Sequence, residues 1–248
     1  MFTGIITARG RVMSLKPNDF GVRLIVDPQN PPTWPSFPKA GDSVAVNGCC
    51  LTYAPLDGDN RKHLGFDVIR ESLDKTSLGQ LAEGSLVNLE LSLTPTTAMG
   101  GHFVQGHVDG TGTVADVKSS EAEYVLAIEA PASLMQYIVP KGSITIDGVS
   151  LTLASVMPSA SQFTVALIPT TLELTNLAER KQGDRVNLEC DIIAKTVVHY
   201  LSLQRAAKKE SISAEMLKAL PQYSPAAPSG HRSDSANPPA HRAGAEAA

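Results

Sequence analysis

Ser43-Val44-Ala45-Val46-Asn47-Gly48-Cys49-Cys50-Leu51-Thr52 returns about one hundred residues later as Ser143-Ile144-Thr145-Ile146-Asp147-Gly148-Val149-Ser150-Leu151-Thr152. Apolar, small and polar classes match place by place around an Asn-Gly or Asp-Gly pair, which is turn chemistry. Three further pairs keep the register: Phe2-Thr3-Gly4 with Val104-Gln105-Gly106, Ile69 through Leu78 with Ile168 through Leu177, and Gly84 through Glu90 with Gly183 through Glu189. Two similar domains therefore stand in tandem. A chain of 248 residues, 42% of them hydrophobic, is long enough to bury two small cores. The expected boundaries are 1–97 and 98–190 for the domains, 191–207 for a terminal helix and 208–248 for a tail rich in Pro, Ser, Ala and Gly, read as largely disordered. A duplicated pocket whose copies have drifted apart can hold two similar molecules and treat them differently.

Charge and cysteine usage narrow the field of partners. The net charge is -4, and no Lys/Arg cluster lies beside interleaved aromatics, which argues against a nucleic-acid surface and for a small-molecule partner. The opening Met-Phe-Thr-Gly-Ile-Ile-Thr lacks the basic and apolar regions of a signal peptide, and no segment approaches a membrane span. Three cysteines, two of them adjacent, make a poor disulfide framework and fit a reducing cytosol, so a cytoplasmic location is expected.

Short alternating segments at Ser43 to Val46, Leu86 to Leu91, Val125 to Ile128, Ile144 to Ile146 and Phe163 to Ile168 read as half-buried strands, separated by turn signals such as Asp57-Gly58 and Gln182-Gly183. The spacing predicts roughly six strands per half, closed into a small barrel because closure removes exposed strand edges. Leu73 to Leu81 and Leu172 to Leu177 are expected to form short helices. From Asp191, Ile193, Val197, Tyr200 and Leu201 fall at i, i+4, i+7 and i+8, an amphipathic stripe that either packs on its own barrel or associates with another copy.

Several motifs fail on inspection. Gly110-Thr111-Gly112-Thr113-Val114-Ala115 spells a dinucleotide loop, but its repeat partner Ala8 to Met13 has one glycine and no helix follows. Cys49-Cys50 lacks the spacing of a zinc or redox pair, so metal binding is not expected. The pairs Cys50/Ser150 and Thr52/Thr152 are more informative: each half offers two small polar groups on one face of a strand, able to hydrogen-bond a heterocycle or polyol, or else to sit inward at a barrel corner. His102 and His107 lie among glycines at the start of the second half, five residues apart, so only one is expected to reach a given pocket.

Taken together, Met1-Phe2-Thr3-Gly4-Ile5, Asn47 through Thr52, Gly101 through Gly110 and Ile146 through Thr152 resemble the riboflavin synthase family, in order and spacing, from Met1 to about Leu203. That resemblance implies an all-β fold of two tandem six-stranded Greek-key barrels with a C-terminal helix, a homotrimer with active sites between subunits, and no cofactor. The implied reaction is dismutation of two 6,7-dimethyl-8-ribityllumazine molecules to riboflavin and 5-amino-6-(D-ribitylamino)uracil. An antenna or storage protein of the same fold, binding lumazine or flavin without turnover, is the alternative.

Carried over by position, the N-terminal pocket would use Gly4, Ile5 and Ile6, then Cys50, Leu51 and Thr52, and the segment Asp67, Val68, Ile69, Arg70, Glu71 and Ser72. The C-terminal pocket would use Gly106, His107 and Val108, then Lys141, then Ser150, Leu151 and Thr152, and the segment Ala166, Leu167, Ile168, Pro169, Thr170 and Thr171. His107, Cys50 and Ser150 are expected to serve the chemical step, with Thr152 and Asp191 as helpers; Cys50 either adds to the substrate or only polarises its surroundings. Thr170 departs from the family pattern, in which many relatives carry a larger or acidic residue.

Overall fold

The structure, a computed structural model, describes residues 1–29, 34, 36–58, 62–120 and 123–219. Met1–Gln204 forms one compact body. Its first half contains β1 (Ala8–Asn18), β2 (Gly21–Gln29), β3 (Ser43–Val46), β4 (Cys49–Thr52), β5 (Leu64–Ile69), α1 (Arg70–Lys75) and β6 (Leu86–Leu91). The second half repeats the series with β7 (Gly110–Ser119), β8 (Tyr124–Glu129), β9 (Ser143–Ile146), β10 (Val149–Met157), β11 (Gln162–Leu167), α2 (Pro169–Leu174) and β12 (Arg185–Cys190). A last helix, α3, runs over Ile192–Ala219.

The strand orders are the same in both halves: β4-β3-β6-β1-β2-β5 in the first, and β10-β9-β12-β7-β8-β11 in the second when its ring is opened between β10 and β11. The neighbours β1–β6 and β2–β5 are far apart in sequence, the long crossovers of a Greek key. Bulges fall at matching places, between Val12 and Ser14 in β1 and between Val114 and Asp116 in β7, where they add the twist a small barrel needs. Only the second barrel closes by a full ladder. There β10 continues to Met157 and pairs with β11 from Leu153, whereas β4 stops at Thr52 ahead of Pro55, which has no N–H to give a ladder. The first seam is held instead by one bridge, Tyr53 to Phe66, with an amide bond from Ala54 to the Gly65 carbonyl (2.8 Å).

Alternation sorts the strands. In β5 Leu64, Phe66 and Val68 are buried while Asp67 and Ile69 are exposed, and in β11 Phe163, Val165 and Leu167 are buried while Ala166 is exposed. The helices expected at Leu73–Leu81 and Leu172–Leu177 start earlier and break in two. Thr76 and Thr175 take extended conformations, and their hydroxyls accept the amides of Leu78 and Leu177, starting 3-10 turns at Ser77–Gln80 and Asn176–Glu179. Helix α3 continues beyond the expected end at 207, because Arg205 to Ala219 is rich in Ala, Lys, Glu, Leu and Met, all strong helix formers. Of the tail expected at 208–248, residues 220–248 lie outside the described residues.

The two barrels meet across an approximate two-fold axis. Asn47-Gly48 and Asp147-Gly148 each turn with both φ positive, 46° and 77° in one and 47° and 80° in the other, as a two-residue hairpin requires. The tips touch: a Cβ on either glycine would lie 2.7 Å from the other's amide nitrogen. Around them the hydrogen bonds are reciprocal. The Asn88 amide group donates to the Asp147 carbonyl at 2.9 Å, and that of Asn187 donates to the Asn47 carbonyl at 2.8 Å. The symmetry breaks at the turn residue itself, since Asp147 is a fully buried carboxylate that Arg180 neutralises while Asn47 carries no charge. Burial pushes the Asp147 carboxyl up; Arg180 and the Asn187 amide oppose that.

Removing the cation alone leaves that carboxylate stranded. Arg180→Met is expected to destabilise the protein by about 3 to 5 kcal/mol in urea unfolding, and a further Asp147→Asn to recover part of the loss. Equal stability of the wild type and Arg180→Met would refute this account of the pair.

Candidate active site

Two straps position the site, the N-terminal residues 1–7 and the inter-barrel residues 98–109. They pair with each other at Phe2 and Val104, by amide bonds of 2.7 and 3.1 Å. Each is then anchored by a buried carboxylate on the last strand of its own repeat. Glu90 of β6 accepts the Thr3 amide and hydroxyl, both at 2.7 Å, and the Gly4 amide at 3.0 Å. Glu189 of β12 accepts the amides of Gln105 (2.6 Å), Gly106 (3.0 Å) and His107 (3.0 Å). Both carboxyls are pushed up by burial and pulled down by these donors.

Beyond the anchors the straps change places. The Gly4 carbonyl accepts the Ser150 amide (2.8 Å) on the second barrel, and the Gly106 carbonyl accepts the Cys50 amide (2.9 Å) on the first. Ile6 joins the core of the second barrel and Val108 packs against that of the first. Both glycines are needed for two reasons. Their φ values of 76° and 78° belong to the left-handed region, and a Cβ would lie 2.6 Å from that of Ser150 or 2.7 Å from that of Cys50.

The exchange corrects the expected grouping. Gly4, Ile5 and Ile6 border a cavity of about 200 Å³ together with Val149, Ser150, Ile168, Thr170, Thr171, Leu174 and Thr175, so they belong with the second barrel rather than with Cys50. Ile5, Ile168 and Leu174 are exposed and give it an apolar wall, while the threonines of α2 offer hydroxyls. The register places Gly106, His107, Val108, Cys49, Ile69, Glu71, Ser72 and Lys75 in the corresponding positions around Cys50. Thr170 and Leu174 of one copy thus stand where Glu71 and Lys75 form an i,i+4 ion pair (2.7 Å) in the other.

Cys50 and Ser150 are half-buried, and Thr52 and Thr152 exposed, on the outer face of their strands, so these four are not the inward-facing corner residues that the sequence left possible. Leu51, Leu151, Val68 and Leu167 point into the barrel cores. Burial pushes the Cys49 thiol up to about 12, leaving Cys50 as the accessible member of the pair. Lys141 takes a left-handed turn conformation (φ 64°), is exposed and does not border the Ser150 cavity. The exposed Asp67 carboxylate already accepts Asn18 and Arg23, each at 3.0 Å.

Of the two histidines it is His102, not His107, that reaches Ser150. Its Nδ1 lies 2.7 Å from the serine Oγ, its backbone amide donates to the Thr3 carbonyl (3.1 Å), and its Nε2 is buried without a partner. Gly101 makes the approach possible, since a Cβ there would come within 2.1 Å of the Thr3 carbonyl oxygen. Asp191 accepts the Ile193 amide at the start of α3 (2.9 Å), and its charge acts on His102. Lys195 of the same helix pairs with Asp109 on the strap (2.9 Å). His107 is exposed and held through its backbone. The glycines that precede both histidines in sequence did not tell them apart. No local signal marked Glu90 or Glu189 beyond their matching places in the repeat.

The lumazine-binding domain model matches this chain twice, over residues 3–92 and 105–191. The chain belongs to the riboflavin synthase family. It is 44% identical over 198 residues to riboflavin synthase of Mycobacterium tuberculosis H37Rv, covering 79% of this chain and 96% of the relative. It is 38% identical over 216 residues to that of Escherichia coli K12, covering 86% and 97%. Among solved structures it is similar to LumP complexed with 6,7-dimethyl-8-(1'-D-ribityl) lumazine, at 25% identity and a TM-score of 0.65, covering 77% of this chain and 99% of that one. The two domain matches agree with the two structural repeats.

Burial holds the His102 imidazole below its ordinary value near 6.5, and Asp191 pulls it partly back. The folded protein therefore binds the proton later than the unfolded chain as pH falls. Stability from neutral His102 is complete above about pH 6.5 and declines as pH drops through the window down to the folded value. NMR titration is expected to find His102 ionising below 6.5, and lower still in Asp191→Asn; a value at or above 6.5 would contradict the burial described here.

Proposed function

We propose that the chain catalyses dismutation of two 6,7-dimethyl-8-ribityllumazine molecules, moving a four-carbon unit from one to the other to give riboflavin and 5-amino-6-(D-ribitylamino)uracil. The observation that carries this reading is the pair of equivalent sites, Gly4 against Ser150 and Gly106 against Cys50, built on one backbone plan but carrying different chemistry. A reaction between two copies of one molecule needs two such pockets that treat their occupants differently. Family membership supports the same reading.

The pocket beside Ser150 offers an apolar wall for a ring and threonine hydroxyls for a ribityl chain. The reaction removes a proton from the C7 methyl of one lumazine and forms a bond at C7 of the other. His102, neutral near pH 7 and bonded to Ser150, is placed to take a proton directly or through the serine hydroxyl, and such help contributes roughly 10²- to 10⁴-fold. Cys50 and Thr52 would serve the other pocket, with Thr152 and Asp191 in support. Holding both rings in register contributes more, because well-oriented reactants reach effective molarities of roughly 10⁵ to 10⁸ M.

A homotrimer, with the Ser150 pocket of one subunit facing the Cys50 pocket of the next, would bring the rings together. Supporting it, Ile193, Val197, Tyr200, Leu201 and Leu203 leave an exposed apolar face on α3. Among the described residues no helix is long and apolar enough to cross a membrane, and a cytoplasmic enzyme with no nucleic-acid partner and no metal or cofactor completes the proposal.

Mixing the protein with the lumazine and following absorbance is expected to show one riboflavin formed per two lumazines consumed, with His102→Gln lowering kcat by about 10²-fold. Tight binding without turnover would move the chain to the antenna or storage class. Val197→Asp with Leu201→Asp is expected to yield monomers of little activity in sedimentation and rate measurements; a fully active trimer would remove α3 from the assembly.

A further inference from the structure

A second cavity, of about 300 Å³, lies across the two-fold axis between the barrels, away from both strap sites. Its walls come in pairs set ninety-nine residues apart: Gln80 opposite Glu179, Leu81 opposite Arg180, Ser85 opposite Asp184, and Leu86 opposite Arg185. At each of these pairs the first repeat supplies a neutral side chain and the second a charged one. Part of that drift is structural, since Arg180 answers Asp147, Arg185 donates to Thr111, and Asp184 accepts the Lys181 amide as Ser85 accepts that of Ala82.

The floor is unfinished. Asn47 is fully buried; its Oδ1 accepts the Asn88 and Asn176 donors, while its Nδ2 has no partner. Ser77 has no partner for its buried hydroxyl, and Arg180, whose terminal nitrogen is committed to Asp147, has none for its Nε–H. All three residues border this cavity. Buried donors left unmatched are costly, so a ligand that supplies oxygen acceptors gains by meeting them.

Charge decides the ligand class. Two arginines against two carboxylates leave the walls near neutral, and Asp147 beneath Arg180 leaves no surplus positive charge to hold an anion. Oxygen acceptors are wanted at the floor, and Glu179 and Asp184 stand ready to accept hydroxyl protons above it. We propose that this inter-barrel cavity binds a small neutral polyhydroxyl molecule, seated on Asn47 Nδ2, Arg180 Nε and the Ser77 hydroxyl. The site is independent of the lumazine pockets and of the dismutase reading.

The probe is ribitol, titrated into the full-length protein by saturation-transfer NMR with riboflavin present to fill the strap sites. Ribitol is expected to bind, and Gln80→Trp, which fills the mouth without touching the buried network, to weaken it at least tenfold while riboflavin binding and Tm stay unchanged. Ser77→Ala, which removes only the unpartnered hydroxyl, is expected to weaken it several-fold. Crystals soaked in ribitol should show it on Asn47 and Arg180. No binding, binding indifferent to Gln80→Trp, displacement by riboflavin, ordered water alone on those donors, or preference for acetate or phosphate would each overturn the proposal.

Discussion

Everything in this molecule hangs on the contact between two hairpin tips. Gly48 and Gly148 meet backbone to backbone, so close that neither position tolerates even a methyl group. Asn88 and Asn187 reach across to bind the opposite turn, and Asn47 and Asp147 each bind back to the last strand of their own barrel. Because this network is buried, the bonds that cross between the halves set the relation of the barrels more sharply than apolar packing does. The straps start from the same axis, at the Phe2–Val104 bridge, and inherit its symmetry.

From that constraint the sites follow. Glu90 and Glu189 spend burial energy to hold three strap donors apiece, and the straps then carry Gly4 and Gly106 across to the opposite barrel. Each pocket is therefore a joint product of both repeats. The same backbone supports a serine joined to a histidine in one place and an accessible cysteine in the other. Fold and chemistry are separable here: the backbone plan is nearly symmetric, and the side chains set around each pocket differ.

Much of this was legible in the sequence because it is local. Asn47-Gly48 and Asp147-Gly148 announce turns with positive φ, alternation in Leu64 to Ile69 announces a strand, and the repeat announces two barrels. What was hidden depends on pairs distant in the chain. Nothing near Gly4 says that its neighbour is Ser150, and so the straps were assigned to the wrong barrels. His102 and His107 look alike in sequence; only the Thr3 carbonyl, ninety-nine residues from His102, selects between them. The looser seam of the first barrel turns on Pro55, which ends a ladder that its counterpart continues.

The contacts at the axis have the form of an isologous interface, residue i meeting j and j meeting i, which is how two identical subunits associate. In this chain the two subunits are one polypeptide, joined by the strap at 98–109, so the association no longer depends on concentration. Covalent linkage also lifts a rule that binds every true two-fold dimer, where a substitution must appear on both sides at once. Here Asn47 can stay neutral while Asp147 takes a charge and an arginine to match it, and Cys50 can differ from Ser150. Fusion is what let a symmetric object acquire a left hand and a right hand.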